Sequence, residues 1–171
     1  YHPVLDETGS DSAMLDNALE FLVHGGRGID HSMEMLIPPA WEGNKTMDPE
    51  VQDFFRFHSG LIEPWDGPAA VVFTDGFTVG ATLDRNGLRP MRLSITDDGL
   101  VTCASEAGVI PLTGHGSVRR LKLGPGEIVT VDPVNGIKMD REVKQGLAKK
   151  SPYGEWLEVG LIPGQSGQPV L

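Results

Sequence analysis

The hydrophobic period of this sequence changes once, near Trp65, and this change constrains the fold more than any other feature. Before it, apolar residues recur at helical spacing: in residues 13–24, Met14, Ala18 and Phe21 form one stripe. After it, apolar and polar residues alternate in short runs that turn residues separate. Helices followed by an antiparallel meander predict an α+β fold.

The sequence before Trp65 predicts three helices. Residues 13–24 form the first, with Ser12 as its N-cap, and residues 30–36 form a shorter second one. The third has the clearest start, because Asp48 is a suitable N-cap and Pro49 suits the first helical position. We expect this helix to end near Gly60 or Pro64, since glycine and proline both terminate helices.

The sequence after Trp65 predicts a series of strands and a fourth helix. The predicted strands are 69–74, 77–83, 91–96, 100–105, 118–123, 127–132 and 137–139. Asp75-Gly76 predicts a type I′ hairpin turn, in which both central residues need positive φ. Asp140 is the predicted cap of a helix that runs to about Lys150. The segment 160–171 is rich in Gly, Pro and Gln and is typical of a linker.

Charge and composition exclude several classes of function. The chain has 24 acidic and 14 basic residues, a net charge of −10, which argues against nucleic-acid binding, since that depends on neutralising phosphates. No apolar run approaches the roughly 18 residues of a membrane span, and no secretory leader opens the chain. The single cysteine suits a reducing compartment. We therefore expect a cytoplasmic protein without membrane or nucleic-acid partners.

Cysteine and histidine do not form a recognisable metal motif. The lone Cys103 rules out an internal disulfide, a cysteine zinc site and an iron–sulfur cluster held by this chain alone. None of the five histidines forms the i, i+4 pair of a helical metal site, so no metal ligand is predicted. His58 lies on an apolar helix face and is predicted to be a core or boundary histidine, and Cys103 is predicted to be a structural thiol in a strand.

Two polar segments have both a structural and a functional interpretation. Asp11, just before the first helix, is by itself a typical cap or turn residue. The segment 84–90 joins two strands and contains Arg85, Arg89 and Pro90. It predicts either a structured connection or a loop that shapes a pocket.

Several segments together resemble one known family. They are Gly-Ser-Asp-Ser-Ala-Met-Leu-Asp (9–16), Met-Leu-Ile-Pro-Pro-Ala-Trp (35–41), His-Ser-Gly-Leu-Ile-Glu-Pro-Trp-Asp-Gly-Pro-Ala (58–69), Leu-Asp-Arg-Asn-Gly-Leu-Arg-Pro (83–90), Ala-Ser-Glu-Ala-Gly-Val (104–109), Lys-Leu-Gly-Pro-Gly-Glu (122–127) and Ser-Pro-Tyr-Gly-Glu-Trp-Leu (151–157). Jointly they resemble the later half of the class II glutamine amidotransferase domain of the glutamate synthase large chain. The resemblance predicts that residues 1–158 are the C-terminal portion of such a domain, and that residues 159–171 are a linker or tail.

The resemblance implies a fold, a reaction and one site residue. The fold is the N-terminal-nucleophile hydrolase fold, a four-layer α/β/β/α sandwich with antiparallel sheets. In the family a cysteine at the mature N-terminus attacks the glutamine side-chain amide, ammonia leaves, and a glutamyl thioester is hydrolysed. An upstream Asn-Gly segment forms the oxyanion hole. The family's aspartate that holds the α-ammonium group of glutamine matches Asp11, which is therefore the predicted substrate-binding residue.

The resemblance also implies what this chain lacks. It begins at Tyr1, after the part that carries the family's nucleophile, carboxylate-binding arginine and oxyanion segment, so no catalytic residue is predicted and the chain alone is expected to be inactive. FMN, an iron–sulfur cluster and the 2-oxoglutarate site belong to other domains of the family's large chain. The expected partners are glutamine, those domains and another copy of the chain.

Two functional hypotheses stay open from the sequence. The chain is either the glutaminase portion of a glutamate synthase, or a nucleophile-less module that binds glutamine or a partner protein. The linker-like tail favours the first, because it resembles an exit towards another domain.

Overall fold

The computed structural model describes residues 3–160, which form five helices and seven strands. The helices are α1 Asp11–His24, α2 Ile29–Leu36, α3 Pro49–Ser59, α4 Asp140–Ala148 and α5 Tyr153–Gly160. The strands are β1 Ala70–Thr74, β2 Val79–Leu83, β3 Arg92–Thr96, β4 Val101–Ala104, β5 Val118–Lys122, β6 Ile128–Asp132 and β7 Gly136–Met139. This order confirms the α+β prediction, and each strand end lies within two residues of its predicted position.

The strands form two antiparallel sheets that lie on one side of the helices. The larger sheet has the order β1-β2-β6-β7 and the smaller one β4-β3-β5. Because successive residues of a strand face opposite sides, Ile128 belongs to a buried cluster that includes side chains of all five helices, while its neighbour Val129 belongs to a second cluster that includes Leu93 of the smaller sheet. Residues 3–160 thus form a helical layer, a middle sheet and an outer sheet. They place no helix over the outer face of the smaller sheet.

Local hydrogen bonds correct two of the predicted helix starts. Ser10, not Ser12, caps α1: its Oγ accepts a hydrogen bond from the backbone N–H of Ala13 at 3.3 Å. The N-cap of α4 is Met139, whose backbone N–H donates to Glu142 Oε2 at 3.0 Å. Asp140 is already inside the first turn of α4 and accepts a hydrogen bond from Ile128 N instead. These caps therefore lie one or two residues earlier than predicted.

The start of α3 agrees with its prediction, while the hairpin turn does not. Asp48 caps α3 through a 3.0 Å hydrogen bond from Glu50 N, with Pro49 as the first helical residue. Between β1 and β2, Gly76 has positive φ, whereas Asp75 does not. The Asp75 carboxylate accepts hydrogen bonds from the backbone N–H groups of Phe77 and Thr78. An aspartate turn thus replaces the predicted type I′ turn.

The predicted tail 159–171 begins within α5, which ends at Gly160, and its other residues lie outside the described range. No helix within residues 3–160 is long and apolar enough to cross a membrane.

Candidate functional site

Asp11 is the first residue of α1, and its side chain is exposed. Because Ser10 caps the helix, the Asp11 carboxylate is not used on a backbone N–H. It has no hydrogen bond or ion pair with any residue between 3 and 160. The unsatisfied N–H groups at a helix start carry partial positive charge, which complements a carboxylate there. The structure thus leaves Asp11 available as an acceptor for a ligand.

Asp11 borders a cavity of about 740 Å³ between α1 and the segment 61–66, which we call the Asp11 cavity. Most of its wall is apolar, and its charged groups come from Asp11, Arg27, Glu63 and Asp66. A 2.7 Å hydrogen bond from the backbone N–H of Trp65 to the carbonyl oxygen of Leu36 holds the far wall against α2. A small molecule such as an amino acid fits within this volume.

Arg27 is the cationic group of the Asp11 cavity, and it lies far from Asp11. Arg27 is half-buried and forms no ion pair with the described residues. Asp11 begins α1 and Arg27 follows the end of this helix of 14 residues, so at 1.5 Å per residue the two are about 20 Å apart. The two charged residues therefore lie at opposite ends of α1.

The loop between β2 and β3 forms part of a second cavity. This cavity of about 460 Å³ has Glu34 in its wall, and we call it the Glu34 cavity. It shares five lining residues with the first cavity, Met35, Ile62, Pro64, Trp65 and Asp66. Arg85 also lines it and donates to Asp66 Oδ2 at 2.6 Å. Buried Asp84 holds the loop by accepting backbone hydrogen bonds at 3.0 and 2.9 Å. Residues 84–90 are thus a structured connection, and its first two residues line a pocket.

His58 is buried on the inner face of α3, as predicted, and it has a partner that the sequence did not indicate. Its Nε2 lies 2.8 Å from Nε2 of His31 on α2, and its Nδ1 lies 2.7 Å from the carbonyl oxygen of Phe54. Since a carbonyl only accepts, Nδ1 of His58 carries the proton, and His31 donates from Nε2. Burial lowers the pKa of both rings, that of His31 to about 4. The pair is therefore neutral at physiological pH.

The structure also locates Cys103 and the side chains that could bind a metal ion. Cys103 is half-buried in β4, and burial raises the pKa of its thiol, which disfavours the nucleophilic thiolate. Among residues 3–160, no group of three or more His, Cys, Asp or Glu side chains is arranged to hold a metal ion. The thiol thus has the setting expected of a structural cysteine.

Sequence reasoning missed two residues that the cavities reveal. In α2, Glu34 stands between Met33 and Met35, which are both buried. A carboxylate between apolar residues was the sequence signal that could have identified it. Arg27 stands between glycines in the connection from α1 to α2, where nothing local indicates that it lines a cavity.

Comparison with known proteins finds one matching family and several similar proteins. Residues 1–156 match the family described as glutamine amidotransferases class-II. The chain is 46% identical over 161 residues to the glutamate synthase (NADPH) large chain of Bacillus subtilis (strain 168), covering 94% of this chain and 11% of that protein. It is 46% identical over 158 residues to the ferredoxin-dependent glutamate synthase of Antithamnion sp., covering 91% and 10% respectively.

A third similar protein gives nearly the same identity and coverage. The chain is 44% identical over 160 residues to ferredoxin-dependent glutamate synthase 2 of Synechocystis sp. (strain ATCC 27184 / PCC 6803 / Kazusa), covering 92% of this chain and 10% of that protein. The chain thus spans about a tenth of the length of these curated relatives. Because the family match extends over most of its residues, this chain belongs to the class-II glutamine amidotransferases.

Proposed function

We propose that this chain is the later part of the glutaminase domain of a glutamate synthase, and that Asp11 binds the α-ammonium group of glutamine. The observation that carries the proposal is the Asp11 carboxylate, which has no partner among residues 3–160 and lies at the positive end of α1 beside a cavity. A charge-assisted hydrogen bond between such a carboxylate and an ammonium is among the stronger polar contacts in proteins. The names of the similar proteins supply the wider reaction, formation of glutamate.

In the proposed reaction this chain binds and orients the substrate. The catalytic groups, including the cysteine nucleophile, belong to a segment of the longer protein that precedes this chain. A cysteine thiolate attacks the amide carbon of glutamine, the carbon–nitrogen bond breaks, and ammonia leaves after receiving a proton. Water then cleaves the thioester to give glutamate and the free thiol. Asp11 keeps the glutamine in place during both steps. The released ammonia is used elsewhere in the longer protein to form glutamate from 2-oxoglutarate.

The proposal includes the parts of the longer protein that the resemblance implies. Residues 1–158 form the end of the amidotransferase domain and 159–171 lead away from it, in a cytoplasmic protein. An upstream segment completes the four-layer sandwich by adding strands and the second helical layer. FMN and an iron–sulfur cluster belong to other domains, and the single Cys103 of this chain fits that division, since such clusters need several thiolates.

The test is Asp11→Asn in the full-length protein. Losing a hydrogen bond to a charged group costs roughly 1.5–3 kcal/mol, so kcat/KM for glutamine should fall about 10- to 150-fold. Synthesis from free ammonia should stay within about twofold, because ammonia does not need the ammonium-binding group. Both activities are measured as glutamate formation, one with glutamine and one with ammonium as the nitrogen donor.

Asp16→Asn is the matched control, since Asp16 is an exposed carboxylate on the same helix and does not line the Asp11 cavity. It should leave both activities unchanged. Equal loss of both activities in Asp11→Asn would show that Asp11 has a structural role. The chain of 171 residues, assayed beside the full-length protein, should release no ammonia from glutamine.

A further inference from the structure

The outer face of the smaller sheet carries a group of basic side chains. Leu93 of β3 and its register partner Leu121 of β5 lie on the inner side of this sheet, in or against the buried cluster that the two sheets share. Because successive strand residues face opposite sides, their neighbours Arg92, Arg120 and Lys122 lie on the outer face. All three basic residues are exposed.

The register of the strands brings these positive charges together. Arg92 lies directly opposite Lys122, and Arg120 lies directly opposite Ser94, so the two arginines are diagonal neighbours on adjacent strands. None of the three basic side chains forms an ion pair or a side-chain hydrogen bond within the described part of the chain. Like charges opposite each other on a sheet are destabilising. A negatively charged partner would therefore stabilise this face.

A small pocket on this face is suited to a carboxylate. Its volume is about 150 Å³, and Arg92, Arg120, Ser94 and Thr102 line it, so we call it the Arg92 pocket. Neither hydroxyl has a hydrogen-bond partner among the described residues, and hydroxyls and guanidinium groups both donate to an oxyanion. Of the lining residues only Glu106 is acidic, and it forms no ion pair with either arginine.

The size and the rim of the Arg92 pocket favour a protein partner over a small molecule. Pockets for small molecules typically have about 300–1,000 Å³, whereas this one has about 150 Å³ and admits little more than the end of a side chain. Val109 and Ile110 also line it, and they are 61% and 43% exposed. Arginine beside apolar surface is typical of the interfaces between proteins or domains.

The surroundings of the chain offer such a partner. Residues 3–160 place no helix over the outer face of the smaller sheet. The chain spans about a tenth of the length of its curated relatives. Under the proposed function, most of the longer protein therefore lies outside this chain, and a segment of it can cover this face.

We propose that the outer face of the smaller sheet docks an acidic segment of the longer protein, and that one carboxylate of this segment enters the Arg92 pocket and pairs with Arg92 and Arg120. Lys122 offers a further cation to the same segment. The proposal rests on the proposed function, because it requires the longer protein. It does not involve the glutamine site, since the Arg92 pocket and the Asp11 cavity share no lining residue.

The test is carbodiimide cross-linking of the full-length protein that carries Arg120→Lys. A carbodiimide activates a carboxylate, which then forms an amide with an amine in contact with it, so the product reports a direct ion pair. We expect mass spectrometry to find an amide between position 120 and an Asp or Glu outside residues 1–171. Arg119→Lys is the matched control, because Arg119 is an exposed arginine of the same strand that lies opposite Ile95, on the other face. It should give no cross-link to the same segment.

Lys122 provides a second measurement without a variant at position 120. Its amine should cross-link to the same acidic segment in the parent protein. Arg92→Glu should reduce the yield of this cross-link at least about tenfold, because a carboxylate opposite Lys122 repels the incoming segment.

Three outcomes would overturn the proposal. They are the absence of a cross-link from Arg120→Lys, a cross-link from it only to residues 1–171 of the same or a second copy, and an equal cross-link to the segment from Arg119→Lys. The kinetics of Asp11→Asn do not enter this test. The docking surface and the glutamine site can therefore each fail without the other.

Discussion

At the residue scale, the contact between His31 and His58 shows how burial sets the charge of a side chain. The two rings share one hydrogen bond of 2.8 Å between their Nε2 atoms, which requires at least one ring to be neutral. Desolvation is the largest cause of both lowered pKa values, and for His31 the nearby charges of His58, Lys150 and Arg27 act in the same direction. Asp30 opposes them only weakly.

This pair predicts a loss of stability on acidification. Unfolded histidine takes up a proton near pH 6.5, whereas folded His31 does so only near pH 4. Between these values the unfolded state binds more protons, so the free energy of unfolding falls as the pH is lowered. We expect a decrease of about 1–3 kcal/mol from this pair, allowing for the partial exposure of His31. Urea denaturation between pH 7.5 and pH 4 measures it.

Two variants separate this effect from the titration of carboxylates. His31→Gln retains a hydrogen-bond donor but cannot titrate, so its stability should depend less on pH over this range. His24→Gln removes an exposed histidine at the end of α1 and should keep the full dependence of the parent chain. Identical pH profiles for His31→Gln and the parent chain would contradict the assignment.

At the element scale, the start of α1 decides where Asp11 is placed. Ser10 has extended backbone dihedrals and caps the helix, so Asp11 becomes its first residue. If Ser12 were the cap, Asp11 would lie outside the helix, away from the partial positive charge of its first turn. Ser10 and Ser12 are also in contact, with their Oγ atoms 3.0 Å apart. One cap thus determines the electrostatic setting of the predicted substrate-binding residue.

The two serines give a direct test of this cap. Ser10→Ala should lower the free energy of unfolding by about 1 kcal/mol, because an N-terminal N–H loses its acceptor. Ser12→Ala should change it by less than about 0.5 kcal/mol, since Ser12 is an exposed residue within the helix. Chemical denaturation of the two variants and the parent chain measures both values. A larger effect for Ser12→Ala would restore Ser12 as the cap.

At the scale of the whole molecule, the smaller sheet covers the larger sheet only in part. Ala81 and Leu83 are buried between the sheets, whereas Val72 and Val79 are exposed although they share the same face. Val72, 61% exposed, lies on β1, an edge strand of the larger sheet. Open strand edges beside apolar surface favour association with further strands.

We expect the chain to associate with itself at high concentration when no upstream segment covers this edge. Val72→Lys should increase the monomer fraction, because a charged side chain on an edge strand opposes pairing. Val134→Lys is the control, since Val134 is an exposed valine in the turn between β6 and β7. Size-exclusion chromatography with light scattering over a concentration series measures the monomer fraction of each variant.

The opposite result would also be informative. A monodisperse monomer that unfolds cooperatively at high concentration would show that the chain closes its own core. It would favour the independent binding module over the portion of a larger domain.

The order and type of the elements could be predicted from the sequence alone, except for α5, which the hydrophobic pattern did not indicate. The change of period near Trp65 and the turn residues that follow it are local signals, since helix and strand patterns repeat within a few residues. The cap at Asp48 with Pro49 was equally local and was confirmed. The α1 cap was wrong because two serines lie close together, and sequence alone does not show which one takes up the extended conformation.

Only the tertiary structure decided which residues meet across the chain. His31 and His58 are 27 positions apart, and their contact depends on how α2 packs against α3. Glu34 and Lys144 come close because α4 returns to the helical layer after all the strands. Asp11 was named from a resemblance, but the cavity beside it arises from the packing of segment 61–66 against α1 and α2. Burial and charge at these sites depend on distances through space, which a local sequence pattern does not contain.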